Sequence, residues 1–276
     1  MYVSPRKKSS FWQPIFPPEE QLQHGDFIER RINLSLPGVR RSFSLLLLSD
    51  LHWTSAHPNR YQPLQESILN DPPDWLLFGG DLYFFLEFAP AAWRWLAELP
   101  AKCGKIAVRG NRESIVDWLD HDFWRRSYEK YGIRCLINEV WDTGPDGPIF
   151  FGLDDFRFGQ PDWNPCRKQQ NSKAPVITLS HNPDAVAEEK ENFVGQLCLS
   201  GHTHGGQIRL PLLGALYTSS IYGSQFVSGW RQRNDHTLCH ISSGIGESGF
   251  GIFRRRLLCP AEFTRLQITP GKTHFS

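Results

Sequence analysis

The chain has 276 residues, with 30 basic against 29 acidic side chains and a formal charge of +1, so no global field draws it to nucleic acid and no such partner is expected. It is 40% apolar and 21% charged, which is globular and supplies enough apolar material for a substantial core. Its six cysteines contain no Cys-x-x-Cys pair, which excludes a zinc knot or a disulfide framework and fits a reducing, cytoplasmic setting.

Residues 1–24 read as a flexible arm, basic at Arg6, Lys7 and Lys8 and aromatic at Phe11, Trp12 and Phe16. Such an arm gives marginal peripheral adhesion to an anionic membrane, and a solvated tail is the plainer reading. The start lacks the apolar stretch of a signal peptide, and the run Leu45–Leu48 is too short to cross a bilayer, so a soluble protein is expected. Over 27–36, Ile32, Leu34 and Leu36 alternate with Arg31, Asn33 and Ser35, a period of two that predicts a half-buried strand. Pro37-Gly38 makes a turn, and 42–49 predicts a strand buried on both faces. Helices are predicted over 61–70, 90–99 and 114–131, the last from Ile115, Trp118, Leu119 and Trp124 at roughly helical spacing. Strands are predicted over 75–78, 105–108, 149–153, 176–179 and 196–199, and the stretch 238–268 reads as glycine-rich with short strands. No repeat or linker divides residues 25–276, so a single layered α/β domain is expected.

Polar residues fall at the ends of these strands. The run Leu45–Leu48 leads into Ser49-Asp50-Leu51-His52, 75–78 into Gly79-Gly80-Asp81, and 106–108 into Arg109-Gly110-Asn111-Arg112-Glu113. The strand over 176–179 leads into Ser180-His181-Asn182-Pro183, and a fifth into Gly201-His202-Thr203-His204-Gly205-Gly206-Gln207. Strand ends along one edge converge on a crevice, where open α/β sheets bind ligands. Two Asp, one Asn and four His form a mixed oxygen and nitrogen set that suits Mn, Fe, Zn or Co better than calcium. Asp-x-His and His-x-His point both side chains the same way, because residues i and i+2 of a strand share a face. Two cations about 3.5–4 Å apart need one bridging carboxylate, and Asp81 is the candidate. Each motif alone has a bland reading: a turn for Gly80-Asp81, a satisfied polar group for His181. Five in order, each at a strand end, favour two divalent metal ions.

These motifs resemble the calcineurin-like metallophosphoesterase superfamily, whose pattern runs D-x-H, G-D, G-N-H-[DE], H and G-H-x-H. The resemblance covers about residues 27–270, and the longer forms around His181, His202 and Ser243-Gly244-Ile245-Gly246 are similar to the bacterial phosphodiesterase branch that includes YkuE and YaeI. It implies a four-layer α-β-β-α sandwich. It also implies that Asp50, His52 and His204 hold one metal and Asn111, His181 and His202 the other, with Asp81 between. Hydrolysis then proceeds by in-line attack on phosphorus of a hydroxide bridging both ions, with Mn²⁺ the leading metal and Fe, Zn or Mg alternatives. Asp81, Asn111, Arg112 and His202 are the residues expected at the reacting phosphate.

Arg112 stands where much of the superfamily has His. With a pKa above about 12 it cannot usefully donate a proton, yet its fork grips phosphate oxygens. That favours leaving groups needing little protonation, such as one phosphate departing from another. Arginine after Gly-Asn also resembles the UDP-diacylglucosamine pyrophosphohydrolases of lipid A synthesis, whose motif continues with Asp where this chain has Glu113. A nucleotide-linked lipid pyrophosphate is therefore the leading substrate. The apolar stretch Leu82–Leu86 either receives an acyl chain or packs the core. Asp154-Asp155 read as surface turn residues, with a supporting role to metal-bound histidines as the other option. Two alternatives stay open: a general phosphodiesterase or phosphomonoesterase of this fold, and a non-catalytic scaffold.

Overall fold

The computed structural model describes residues 8–9, 11–54, 58–189, 193–234, 237–249 and 255–276. The chain enters on two short strands, β1 (Gln13–Ile15) and β2 (Glu20–His24), followed by β3 (Phe27–Leu36) and β4 (Phe43–Leu48). Helix α1 (Gln62–Asn70), strand β5 (Trp75–Phe78), helix α2 (Ala89–Glu98) and strand β6 (Gly104–Ala107) then alternate. After the single turn α3 (Asn111–Ser114) come α4 (His121–Glu129), β7 (Arg134–Cys135), β8 (Glu139–Asp142) and β9 (Ile149–Gly152). The second half runs through α5 (Asn164–Arg167), β10 (Val176–Leu179), α6 (Pro183–Glu188) and β11 (Leu197–Ser200). A small hairpin of β12 (Arg209–Leu210) and β13 (Gly214–Ala215) precedes β14 (Gly229–Asn234), β15 (Thr237–Ile241), β16 (Ala261–Pro270) and β17 (His274–Phe275).

Two large sheets result. One is ordered β17-β3-β16-β4-β5-β6-β7, with β2 also on β3; the other is ordered β1-β14-β15-β11-β10-β9-β8. Alternation along the strands explains why they stack. Leu45 and Leu47 of β4 enter a core shared with Ile177, Leu179, Leu197 and Leu199 of the other sheet. Leu46 and Leu48 face the opposite way, onto Leu64 and Ile68 of α1 and Trp93 and Leu96 of α2. Across the molecule, Phe151, Val176 and Cys198 turn outward to meet Cys166 of α5 and Val186 of α6. Both faces of each sheet are thus covered, giving four layers, α-β-β-α.

The structure departs from the sequence expectation in three places. Residues 11–24 are not a loose arm. Gln13–Ile15 pairs with Trp230–Gln232, Glu20–His24 pairs with β3, and Trp12 is buried edge-on against Phe226 at 6.1 Å. The partner of Gln13–Ile15 lies more than 200 residues away, so local sequence carried no sign of it; residues 1–7 and 10, including Arg6 and Lys7, lie outside the described residues. The helix predicted over 114–131 is split. Asp120 starts α4, its carboxylate accepting from the Phe123 amide at 2.6 Å, and this N-cap outweighs the helical spacing that spans it. Ile115 and Trp118 consequently stand exposed. The carboxyl-terminal stretch yields β16, ten residues long, set between β3 (parallel) and β4 (antiparallel). Among the described residues no helix is long and apolar enough to cross a membrane.

Candidate metal centre

Strands β4, β5 and β6 run parallel, with Leu48 opposite Phe78 and Phe78 opposite Ala107. Their exits therefore coincide, and Asp50, Asp81 and Asn111 leave one sheet edge together. In the other sheet Gly152, Leu179 and Leu199 are likewise in register, bringing out His181 and the loop with His202 and His204. Backbone bonds lock the loops to one another: Asp50 N donates to Gly80 O at 2.9 Å and His52 N to Asp81 O at 3.0 Å. Between the sheets, Ile245 N donates to Ser49 O at 2.9 Å and Gly246 N to Asp50 O at 2.8 Å. Glycine is required where the loops touch. A Cβ on Gly110 would meet Asp81 Oδ1 at 2.3 Å, and one on Gly201 would meet Asp50 Oδ2 at 2.3 Å.

All seven side chains expected to bind metal are brought together. Asp50, His52, Asp81, His181, His202 and His204 are buried and Asn111 is half-buried. Asp50, His52 and His204 offer donor atoms within 4.8 Å of one another, and so do Asp50, Asp81 and His181. In the first group, His52 Nε2 is 3.0 Å from His204 Nε2, which is 3.6 Å from Asp50 Oδ1. In the second, His181 Nε2 faces Asn111 Oδ1 at 3.1 Å and His202 Nδ1 at 3.2 Å. Asp81 stands between: Oδ2 is 3.4 Å from His52 Nε2 and Oδ1 is 3.5 Å from His181 Nε2. Asp50 also reaches both groups, since it belongs to each triple.

These distances test whether cations fit. Donors held about 2.0–2.2 Å from one ion stand about 3.0–3.6 Å apart, the spacing found on both sides of Asp81. The electrostatics agree. Burial raises Asp50 above the usual carboxylate range and takes Asp81 to about 7, with the Glu113 and Asp50 carboxylates adding to the latter. Burial opposes charge on His181, yet Asp81, Asp50 and Asp155 carry it up to about 9. His202 and His204 are pushed well down, first by burial and then by neighbouring positive groups, which leaves neutral imidazoles. Buried carboxylates beside neutral imidazole lone pairs are what divalent ions stabilise. The His181 ring is oriented for this role: Nδ1 donates to Gly79 O at 2.8 Å, which frees Nε2. Asp50, His52, Asp81, His202 and His204 all have left-handed φ, from 43° to 70°. Such residues cost about 1–3 kcal/mol each and cluster where surrounding structure over-determines a site.

Two positioning residues had no assigned role in the sequence reading. Glu113 is fully buried, and its carboxylate accepts from Leu82 N at 2.7 Å, Asp81 N at 3.1 Å and Gly110 N at 2.7 Å. It therefore pins the Asp81 loop to the Asn111 loop; its place three residues after Gly110, as in a capping box, was the available signal. Arg256 donates through Nη2 to Ser243 O at 2.7 Å and Gly246 O at 2.6 Å, and that nitrogen lies 3.4 Å from His204 Nδ1. No local pattern could have shown that its partners are carbonyls of a distant loop. Asp154 and Asp155 are not surface residues. Arg109 Nη2 donates to Asp154 at 2.6 Å, while Asp155 accepts from the amides of Arg157 and Phe158, and both side chains are buried.

Arg112 is half-buried at the rim. Its amide donates to Asp81 Oδ1 at 2.8 Å, and its guanidinium stacks over Phe84 at 5.0 Å. Of the apolar stretch, Leu82, Tyr83 and Phe84 are core and only Phe85 is well exposed. Phe84 also lies edge-on to His52, with centroids 6.5 Å apart, so it walls the site.

Residues 43–206 match the family profile described as Calcineurin-like phosphoesterase. The chain is 28% identical over 240 residues to phosphodiesterase YaeI of Escherichia coli K12, covering 82% of each chain. Over 213 residues it is 28% identical to YkuE of Bacillus subtilis 168, an uncharacterized metallophosphoesterase, covering 71% of each. A stretch of 76 residues is 42% identical to the UDP-2,3-diacylglucosamine pyrophosphatase LpxG of Chlamydia trachomatis, covering 28% of this chain and 23% of that one. Matched family, likeness over most of both relatives and a buried two-part donor cluster agree: the chain belongs to the calcineurin-like phosphoesterases, on the side of YaeI and YkuE, and is a metal-dependent phosphoester hydrolase.

Proposed function

We propose that the protein hydrolyses the pyrophosphate linkage of a nucleotide-linked lipid, with UDP-diacylglucosamine the leading candidate and two Mn²⁺ ions as cofactors. Asp50, His52 and His204 would hold one ion and Asn111, His181 and His202 the other, with Asp81 placed between the two groups. When bound, the ions supply Lewis acidity toward phosphoryl oxygens and activate water. The protein's own groups do the rest. Glu113 and the Gly79 carbonyl fix Asp81 and His181, and the wall of Phe84 limits water beside them.

The observation that carries the pyrophosphate reading is Arg112. Its guanidinium carbon sits 5.0 Å from the centre of the Phe84 ring, which itself lies against His52, and it has no carboxylate partner among the described residues. A permanently charged fork there grips a phosphoryl oxygen and neutralises a departing phosphate, and it has no proton to give an alkoxide. The partial likeness to LpxG points the same way. The likeness to YaeI over most of both chains favours a second reading, a general phosphodiesterase. The six unpaired cysteines support a reducing, cytoplasmic setting.

Incubation of the Mn²⁺-loaded protein with UDP-diacylglucosamine is expected to release UMP. Arg112→His should shift the ratio of pyrophosphate to diester turnover by about tenfold toward diesters, the worth of one charged hydrogen bond. Turnover of simple diesters without UMP release leaves the second reading standing and removes the first.

A further inference from the structure

The loop that carries His202 and His204 continues, through Gly205 and Gly206, into the β12–β13 hairpin, and this hairpin is apolar where it should be polar. Leu212 is 107% exposed, Leu213 74%, Leu216 54% and Tyr217 65%. Leu212 sits at the tip with φ 67°, a strained backbone for leucine, so the hairpin presents this side chain outward at a conformational cost. A second segment doubles the apolar edge. Ile208 bridges Leu257, Arg209 N donates to Leu257 O at 2.9 Å, and Leu257 and Leu258 are 50% and 64% exposed. Phe16, 91% exposed, closes the row, because it lines a cleft of about 370 Å³ together with Leu258 and Arg209.

The hairpin is not loosely attached. Gly206 packs so closely against it that a Cβ there would meet Ala215 Cβ at 2.3 Å. Gln207 exchanges two hydrogen bonds with the Ser248 backbone, at 2.8 and 2.9 Å. An apolar projection is therefore fixed relative to the metal centre, its hairpin beginning at Arg209, five residues beyond His204.

The geometry points to this edge as a membrane-docking surface that lays the metal centre against an anionic lipid bilayer. Charge selects the occupant. Residues 193–234 contain no acidic residue, while Arg209 on the hairpin and exposed Arg255 beside Leu257 flank the leucines. Acids around the row are already paired: Glu19 and Glu262 with Arg30, and Asp26 and Glu247, which share a cleft with Arg255, with Arg60. Arginines around exposed leucines and a tyrosine match anionic headgroups above a hydrocarbon layer. A second copy of the chain fits less well, since a two-fold contact on this face sets like charges against like. The projecting leucine tip also suits a fluid layer better than a flat protein face. Docking here brings lipid-borne phosphoesters to the centre, and it stands whether or not the substrate is the pyrophosphate proposed above.

The test is co-sedimentation of the full, Mn²⁺-loaded chain with vesicles of phosphatidylethanolamine and phosphatidylglycerol, compared with phosphatidylcholine alone. Wild type is expected to pellet with the anionic vesicles, and Leu212→Asp/Leu213→Asp to lose binding by about tenfold or more. Arg209→Glu and Arg255→Glu, which leave the leucines in place, should each weaken anionic binding about fivefold. Hydrolysis of soluble bis(para-nitrophenyl) phosphate should stay within about twofold in every variant, reporting an intact fold whatever the natural substrate. Wild type that stays in the supernatant, or a double aspartate variant that pellets equally, overturns the inference. So does a wild-type dimer that the double variant converts to monomer, which would assign the face to self-association.

Discussion

Asp81 shows most directly how the site depends on single atoms. Its two oxygens face different imidazoles at 3.4 and 3.5 Å, on a backbone with φ 56°, and burial raises its carboxyl to about 7. In the metal-free protein Asp81 and His181 are both raised, to about 7 and about 9. A raised folded pKa favours folding at low pH, and that contribution is lost as pH climbs through the folded value. Asp81 loses it between 3.8 and about 7, and His181 between 6.5 and about 9. Protons and cations compete for these atoms, so Mn²⁺ affinity should rise by about tenfold or more from pH 6 to pH 9. The gap in Tm between loaded and chelated protein should widen over the same range. Calorimetric titration and thermal melts check this; a flat profile contradicts it. That seven polar side chains would gather at one place was legible in the sequence, because polar residues at the ends of otherwise apolar strands have no packing reason to be there. Asp154 was misread because two adjacent aspartates resemble a turn, and only the fold reveals the Arg109 guanidinium 2.6 Å away.

At the level of elements, the site is a set of loops that hold one another. Glu113, in the single turn α3, accepts from three amides on two loops, and each buried N–H would otherwise lack a partner. Glu113→Gln keeps the volume but turns an NH₂ group toward amide donors. It should destabilise the protein by about 1–3 kcal/mol and cut activity or metal affinity by about 10–100-fold, read by thermal melts and metal titration. Unchanged metal affinity would remove Glu113 from the positioning role. Element boundaries were legible where apolar runs were short and flanked by Pro or Gly, as at β5 and β10, which match their expected spans. Between residues 114 and 131 the sequence misled, because helical spacing persisted across a break that a single aspartate cap imposes. Strand β1 was illegible for a different reason: it has only three residues and its partner is β14.

For the molecule as a whole, two sheets stacked face to face aim their strand ends at one point, so Asp50, Asp81 and Asn111 come from one sheet and His181, His202 and His204 from the other. Periodicity alone could not reveal that stacking. Strands apolar on both faces, such as β4 and β10, look the same in a single open sheet as in a sandwich, and the insertion of β16 between β3 and β4 leaves no local trace. Motif resemblance supplied the layer order, and the split of β4 between two cores gives its physical basis. Relative placement of the two sheets thus decides whether donors from both can share ions. Anomalous scattering at the manganese edge from crystals of the Mn²⁺-loaded protein measures this directly. Two peaks about 3.5–4 Å apart, one on either side of Asp81, are the expected result. A single peak, or two that do not share Asp81, would contradict it.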